Sequence, residues 1–179
     1  MYERIPDRFP VLRGAGLLLR ELVEADLPAW LGRLSDPEAA ALAGDSLATS
    51  MQTVIDGLEF HRNAFRNKEA LRWSIVPETV GESVGTIGLG GFDAERRSAS
   101  LGGAIGRHHW GLGIMPAAVR LVVDYAFASL ALAELTASNL PENARVIRVL
   151  EKLGFERVAD APVAPIGDRT DTLSWRLTR

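Results

Sequence analysis

Cysteine is absent from all 179 residues. That excludes disulfide staples, thiolate metal sites and any acyl-cysteine intermediate. Lysine is scarce: of the 20 basic residues only Lys68 and Lys152 are lysines, a bias we assign to genome composition. Charge of one sign is lacking too, because 23 acidic residues leave a formal net charge of −3. A chain without basic excess is not built to coat nucleic acid or an anionic membrane. No apolar run is long enough to span a bilayer: the most hydrophobic segment, Ala117–Ala133, is broken by Arg120, Asp124 and Ser129. The opening MYERIPDRFP carries acid and proline where a secretory leader needs an apolar stretch, so a cytoplasmic location is expected.

What is present is 47% hydrophobic and 24% charged, the composition of a globular protein with a real core. Without low-complexity runs, linkers or repeats, one domain over residues 1–179 is expected. Leu17–Arg20 reads as a short strand, followed by helices over Glu24–Leu34 and Met51–Lys68, the second with Ser50 as its N-cap. Leu71–Val76, Val84–Phe92 and Ser98–Ile105 are strand-like runs joined by short turns, which predicts an antiparallel meander. Ile114–Leu130 is apolar nearly all round and is expected to be a buried helix. Glu134–Ser138 then reads as a strand, Ala144–Leu153 as an amphipathic helix stopped by Gly154, and Thr170–Leu177 as the last strand. The sum is an α+β domain: a mixed, mostly antiparallel sheet flanked by helices on both faces.

The informative stretch is Ala104 to Pro116, in which a strand runs through Trp110-Gly111-Leu112-Gly113 straight into the apolar helix. Free N–H groups in a first helical turn, with the helix dipole, form an anion site that needs no lysine. As a dinucleotide fingerprint the stretch fails, because Pro116 holds the place of the third glycine. As a nucleotide-triphosphate loop it lacks Gly-Lys-Ser/Thr. Taken alone, it is equally an ordinary strand-to-helix corner.

A second segment, Asn143-Ala144-Arg145-Val146-Ile147-Arg148-Val149-Leu150-Glu151-Lys152-Leu153-Gly154-Phe155, makes the pattern specific. With His109-Trp110-Gly111-Leu112-Gly113-Ile114-Met115-Pro116-Ala117-Ala118, it resembles the two signatures of the GNAT N-acetyltransferase superfamily, and within it the RimJ/RimL-type N-terminal acetyltransferases of ribosomal proteins. The likeness runs from Leu17 to Trp175, in the family's order. It implies acetyl-CoA as co-substrate and no metal. By the resemblance, the backbone amides of Gly111, Leu112, Gly113, Ile114 and Met115 would hold the pyrophosphate. The strand end at Gly103 and Ile105 would pair with the pantetheine amides, and its N–H groups would polarise the thioester carbonyl. Asn143 would contact the pantetheine arm, or serve simply as a helix N-cap. Two residues depart from the pattern: Met115 replaces a small residue, and Val146 replaces a serine that in relatives protonates the departing thiolate. Phe155 supplies no hydroxyl in its stead.

With no cysteine and no Gly-x-Ser-x-Gly elbow, direct attack of a bound amine on the thioester is the expected mechanism. The acceptor expected from the resemblance is an α-amine on a protein. A small-molecule amine (polyamine, aminoglycoside or amino-acid derivative) and a non-catalytic acyl-CoA-binding module remain the alternatives. The catalytic residues stay unassigned: His108, His109, His61, Glu134 and Ser138 are the candidate bases, and Glu82 reads as solvated. Arg145, Arg148 and Lys152 form a helix face from which one side chain can meet the ribose 3′-phosphate. Trp30, Trp73 and Trp175 read as core or pocket wall, and Asp168, Arg169 and Asp171 as turn chemistry. The acceptor region, Ala25–Lys68 with Asp160–Arg169, carries no decodable motif. Monomer and homodimer both stay open, since the two-sided helix can be buried within one copy.

Overall fold

A computed structural model describes residues 2–158 and 169–179. Within them the chain builds strands β1 (Leu12–Gly14) and β2 (Leu17–Glu21), then helices α1 (Leu27–Leu34), α2 (Pro37–Ala43) and α3 (Met51–Arg66). The strands β3 (Leu71–Pro77), β4 (Gly85–Asp93) and β5 (Ser98–Ile105) follow, then α4 (Ile114–Ala128), β6 (Glu134–Asn139), α5 (Ala144–Lys152), β7 (Glu156–Val158) and β8 (Leu173–Thr178). All eight strands form one sheet in the order β1-β2-β3-β4-β5-β6-β8-β7. Only β5 and β6 run parallel. The expected mixed, mostly antiparallel sheet is therefore present.

Side-chain alternation along β3 divides the helices between the faces. Leu71, Trp73 and Ile75 point into the main core with Val119, Val122 and Ala126 of α4. Trp73 meets Tyr125 edge-on at 5.8 Å. The opposite face carries Arg72 and Ser74, and α3 brings His61 there. A second, smaller core of Leu22, Leu27, Trp30, Leu34, Val54 and Leu58 welds α1 to α3. Helix α4 is less enclosed than its sequence suggests: Arg120, Asp124 and Ala128 leave a solvent stripe at four-residue spacing.

Several local readings changed. Glu24–Leu34 splits into a single 3-10 turn, Glu24–Asp26, and α1. Ser50 stands at the N-cap of α3, but its hydroxyl pairs with Thr53 Oγ1 at 3.3 Å and caps no backbone group. Gly154 ends α5 as expected, with φ 84. Its N–H donates to Glu151 and that of Phe155 to Leu150, the two bonds of a Schellman stop. Helix α2 and strand β1 are additions.

Candidate active site

Strands β5 and β6 pair only from Ser98↔Glu134 to Leu101↔Ala137. Beyond that point β5 continues along β4 to Ile105, while β6 continues along β8 to Asn139, so the parallel pair opens into a wedge. The Gly106 N–H donates to Val84 O at 2.8 Å. Antiparallel ladders alternate, so the backbone groups of Gly103 and Ile105 face away from β4, towards the opening. The Ile105 carbonyl accepts from Trp110 Nε1 at 3.1 Å.

The wedge is the floor of a cavity of about 630 Å3. Gly103, Ile105, Gly111, Gly113, Ile114, Met115 and Asn143 all line it. Leu112 does not: it is 67% exposed. Gly111 and Gly113 adopt φ 79 and 77, the left-handed region that favours glycine. No side chain caps α4, and no other described residue accepts from the N–H groups of Gly111 to Met115. Among the described residues, these five N–H groups are thus left without an acceptor beside an open cavity.

Asn143 is spoken for at both ends. Its Oδ1 caps α5 by accepting from Val146 N at 3.3 Å, and its Nδ2 donates to Leu42 O at 3.1 Å. That second bond ties α5 to α2, whose Ala39, Leu42 and Ala43 form part of the cavity wall. Arg107 fastens the other end of α2, with Nη1 at 2.8 Å from Glu38 Oε2 and Nε at 3.2 Å from Asp36 Oδ2. Two backbone N–H groups also bond Asp36, and Ala39 N–H is the chief cause of its lowered pKa. Helix α2 was not expected from the sequence, although Asp36 as N-cap, Pro37 at N1 and Gly44 at φ 70 mark both of its ends.

The remaining candidates separate cleanly. Ser138 and His109 line the cavity, whereas His108 is exposed outside it. Glu134 lies at the wrong end of β6. It pairs with Ser98, four residues and roughly 13 Å from Ser138, and its carboxylate is held by Arg176 at 3.0 Å. Arg145 and Arg148 line the cavity and Lys152 does not. Arg145 stacks over the Trp110 ring at 4.2 Å. Glu82 is exposed, and Trp73 and Trp175 are core residues, as is Trp30 in the smaller cluster. Trp175 Nε1 donates to Asn139 Oδ1 at 2.6 Å, fixing the end of β6 beside the wedge. Arg169 bonds Asp171 and reaches Glu142 at 2.8 Å, while Asp168 lies outside the described residues. Val146 faces the cavity and Phe155 is buried in the core. Both tyrosines are elsewhere: Tyr2 donates to Leu130 O, and Tyr125 sits under Trp73.

His61 packs between Trp30, at 5.8 Å, and Phe60. Burial first, and the Arg72 charge second, push its pKa from 6.5 to about 4, so the ring is neutral at pH 7. Between those values the unfolded chain binds a proton that the folded chain refuses. Stability is therefore expected to fall as pH drops from about 6.5 towards 4, by at most about 3 kcal/mol from this residue. His61→Phe should flatten that decline in denaturant midpoints measured at pH 7 and 4.5. An unchanged decline in the variant would remove His61 from the acid response.

A family profile described as an acetyltransferase (GNAT) domain matches residues 16–156, which contain the wedge, the glycine turn and α5. The chain belongs to the GNAT acetyltransferase family. The acetyltransferase is 31% identical over 141 residues to the uncharacterised N-acetyltransferase p20 of Bacillus licheniformis, covering 79% of each chain. Its fold is similar to that of Mycobacterium smegmatis RimJ in complex with CoA-disulfide, with a TM-score of 0.78, 24% identity, and 97% and 88% of the two chains covered. It is similar also to Vibrio cholerae spermidine N-acetyltransferase with CoA and spermine, with a TM-score of 0.76, 18% identity, and 92% and 96% covered. GNAT acetyltransferases use acetyl-CoA as donor. Among the described residues of this acetyltransferase, no helix is long and apolar enough to cross a membrane.

Proposed function

We propose that this acetyltransferase moves the acetyl group of acetyl-CoA directly onto the α-amine of a polypeptide N-terminus. The observation that carries the choice of amine is the cavity lining, which among the described residues contains no Asp or Glu. A lysine amine with pKa about 10.4 costs roughly 4.6 kcal/mol to deprotonate at pH 7, whereas an α-amine near 7.8 costs about 1.1. A site without a carboxylate base suits the second. The same lack argues against a polyamine, whose several ammonium groups need acidic partners.

The donor fits the residues present. The N–H groups of Gly111 to Met115 would hold its pyrophosphate, and the outward-facing backbone of Gly103 and Ile105 would align the pantetheine amides. When bound, acetyl-CoA supplies an activated acyl group on a good leaving group, since a thiol with pKa about 8.5 departs near neutrality without much help. Main-chain N–H groups at the end of β5 would steady the carbonyl oxygen as charge develops on it. A polypeptide acceptor is in keeping with the likeness to a Vibrio cholerae protein described as a putative ribosomal-protein-serine acetyltransferase. Polypeptide N-termini are made in the cytoplasm, where this reading places the enzyme.

The test is calorimetric binding of acetyl-CoA followed by thiol release over an amine panel. Free α-amine peptides are expected to release CoA at least about tenfold faster than N-blocked lysine peptides, spermidine or an aminoglycoside. Faster release with any of those three would move the acceptor class. Binding without thiol release from any amine would make the chain a CoA-binding module.

A further inference from the structure

One cationic group bonded to the cavity lining has no partner of opposite charge among the described residues. Arg72 on β3, Gly88 on β4 and Gly102 on β5 stand in one cross-strand row. Gly88 has no side chain, so the Arg72 side chain passes close over it, and a Cβ on Gly88 would come within 3.0 Å of Arg72 Nε. Its Nη1 donates to Gly102 O at 3.1 Å, its one hydrogen bond to a described residue. Five donors are available on a guanidinium. Gly102 lines the cavity, one residue past the last β5–β6 pair, and the space above its Cα is open.

The charges around Arg72 do not balance. No described carboxylate lies within 4.0 Å of it. Asp45 is near enough to act on its charge, but that carboxylate is bonded to Arg33 Nη1 at 2.6 Å. Arg33 is itself buried, 7% exposed, and its Nε has no partner among the described residues. Two guanidinium groups therefore share one carboxylate, and neutral His61 adds nothing. A half-buried charge left uncompensated is costly unless a ligand completes it.

We propose that the acceptor carries a carboxylate a few atoms from its amine, and that Arg72 binds this carboxylate beside Gly102. The proposal rests on the acetyl-transfer reading above and narrows its substrate class to acidic amines. An aspartyl chain end and a free acidic amino-acid derivative present the same chemistry, so the experiment includes both. Arg72 would act as a specificity residue, placing the amine against the end of β5.

The probes are Asp-Ala-Ala amide against Asn-Ala-Ala amide, and aspartic acid α-amide against asparagine α-amide. Each pair differs only by a side-chain carboxylate. Thiol release is measured on the wild-type protein and on Arg72→Gln, with calorimetric binding of the same probes in the presence of CoA. The carboxylate member of a pair is expected to show about a tenfold or greater advantage in kcat/KM, carried by KM. In Arg72→Gln that ratio should fall to near one. A larger ratio for the tripeptides points to a chain end, and a larger one for the single-residue amides to a free derivative. Equal use of both members by the wild-type protein, or a ratio kept by Arg72→Gln, would overturn the proposal. Should no probe release thiol, the acetyl-transfer reading falls, and the calorimetric ratio still decides the Arg72 site. If Arg72→Gln does not fold, the wild-type ratios alone decide it.

Discussion

Gly113→Val is expected to abolish measurable acetyl-CoA binding while leaving the chain folded. Gly113 is the N-cap of α4 with φ 77, and a Cβ added there meets no atom within 4 Å. The variant therefore suffers no internal clash, only the backbone strain of a β-branched residue in the left-handed region, about 1–3 kcal/mol. A domain holding the usual 5–15 kcal/mol tolerates that loss. The isopropyl group, however, projects into the open space faced by the unpaired N–H groups. Losing two charge-assisted hydrogen bonds to the pyrophosphate should weaken binding by about 100-fold to 10,000-fold. Gly16 supplies the control, since it has φ 71 and equally open surroundings in the β1–β2 turn, outside the cavity. Gly16→Val should lower thermal stability to a similar extent with acetyl-CoA affinity unchanged. If calorimetry finds Gly113→Val binding as tightly as the parent, the anion site lies elsewhere.

Features written in local chemistry are legible in the amino-acid sequence alone. The left-handed glycines of the turn, Pro116 in the first turn of α4 and Gly154 after α5 each act on their immediate neighbours, so a linear reading finds them. Helix α2 carries equally local signals, but its seven residues are too few to show a 3.6-residue period. Other features are properties of pairing. That Glu134 sits far from the wedge and Ser138 beside it follows from the β5–β6 register, which no strand propensity reveals. In the sequence Arg72 falls inside the strand-like run Leu71–Val76 with nothing to single it out. Its course over Gly88 to the Gly102 carbonyl appears only when three strands are laid side by side. The fold-level reading survived these misses because each element kept its type. The acceptor end did not become legible, because its chemistry depends on which side chains are missing from the neighbouring strands.

The same contrast bears on leaving-group chemistry. Val146, where the GNAT signature that the sequence resembles carries a serine, lines the cavity, and neither tyrosine does. Among the described residues lining the cavity, the hydroxyl and imidazole groups are those of Ser100, Ser138 and His109. If solvent takes over thiolate protonation, turnover depends more on holding the carbonyl and the amine in place. The Trp175–Asn139 bond and the α2 tethers hold the end of β6 and the cavity wall in place.

Trp73→Ala is expected to cost 3–5 kcal/mol, the range for emptying a buried aromatic site. Trp73 is fully buried, its Nε1 donates to Pro10 O at 2.7 Å, and its ring meets Phe9 at 5.7 Å and Tyr125 at 5.8 Å. Truncation opens a cavity under α4 and releases the N-terminal arm. For a chain of this length the melting temperature should drop by roughly 6–20 °C. Trp73→Phe keeps most of the packing and strands only the Pro10 carbonyl, so about 1–3 kcal/mol is expected. Trp73 faces α4, away from the cavity, so the folded fraction of either variant should bind acetyl-CoA as the parent does. Thermal unfolding and calorimetry on the same samples separate the two roles that a tryptophan at this place in the sequence can have. A variant that melts normally but binds acetyl-CoA poorly would make Trp73 a pocket wall. The ring instead fastens the arm, the sheet and α4 together, which holds the glycine turn at the start of that helix against the end of β5.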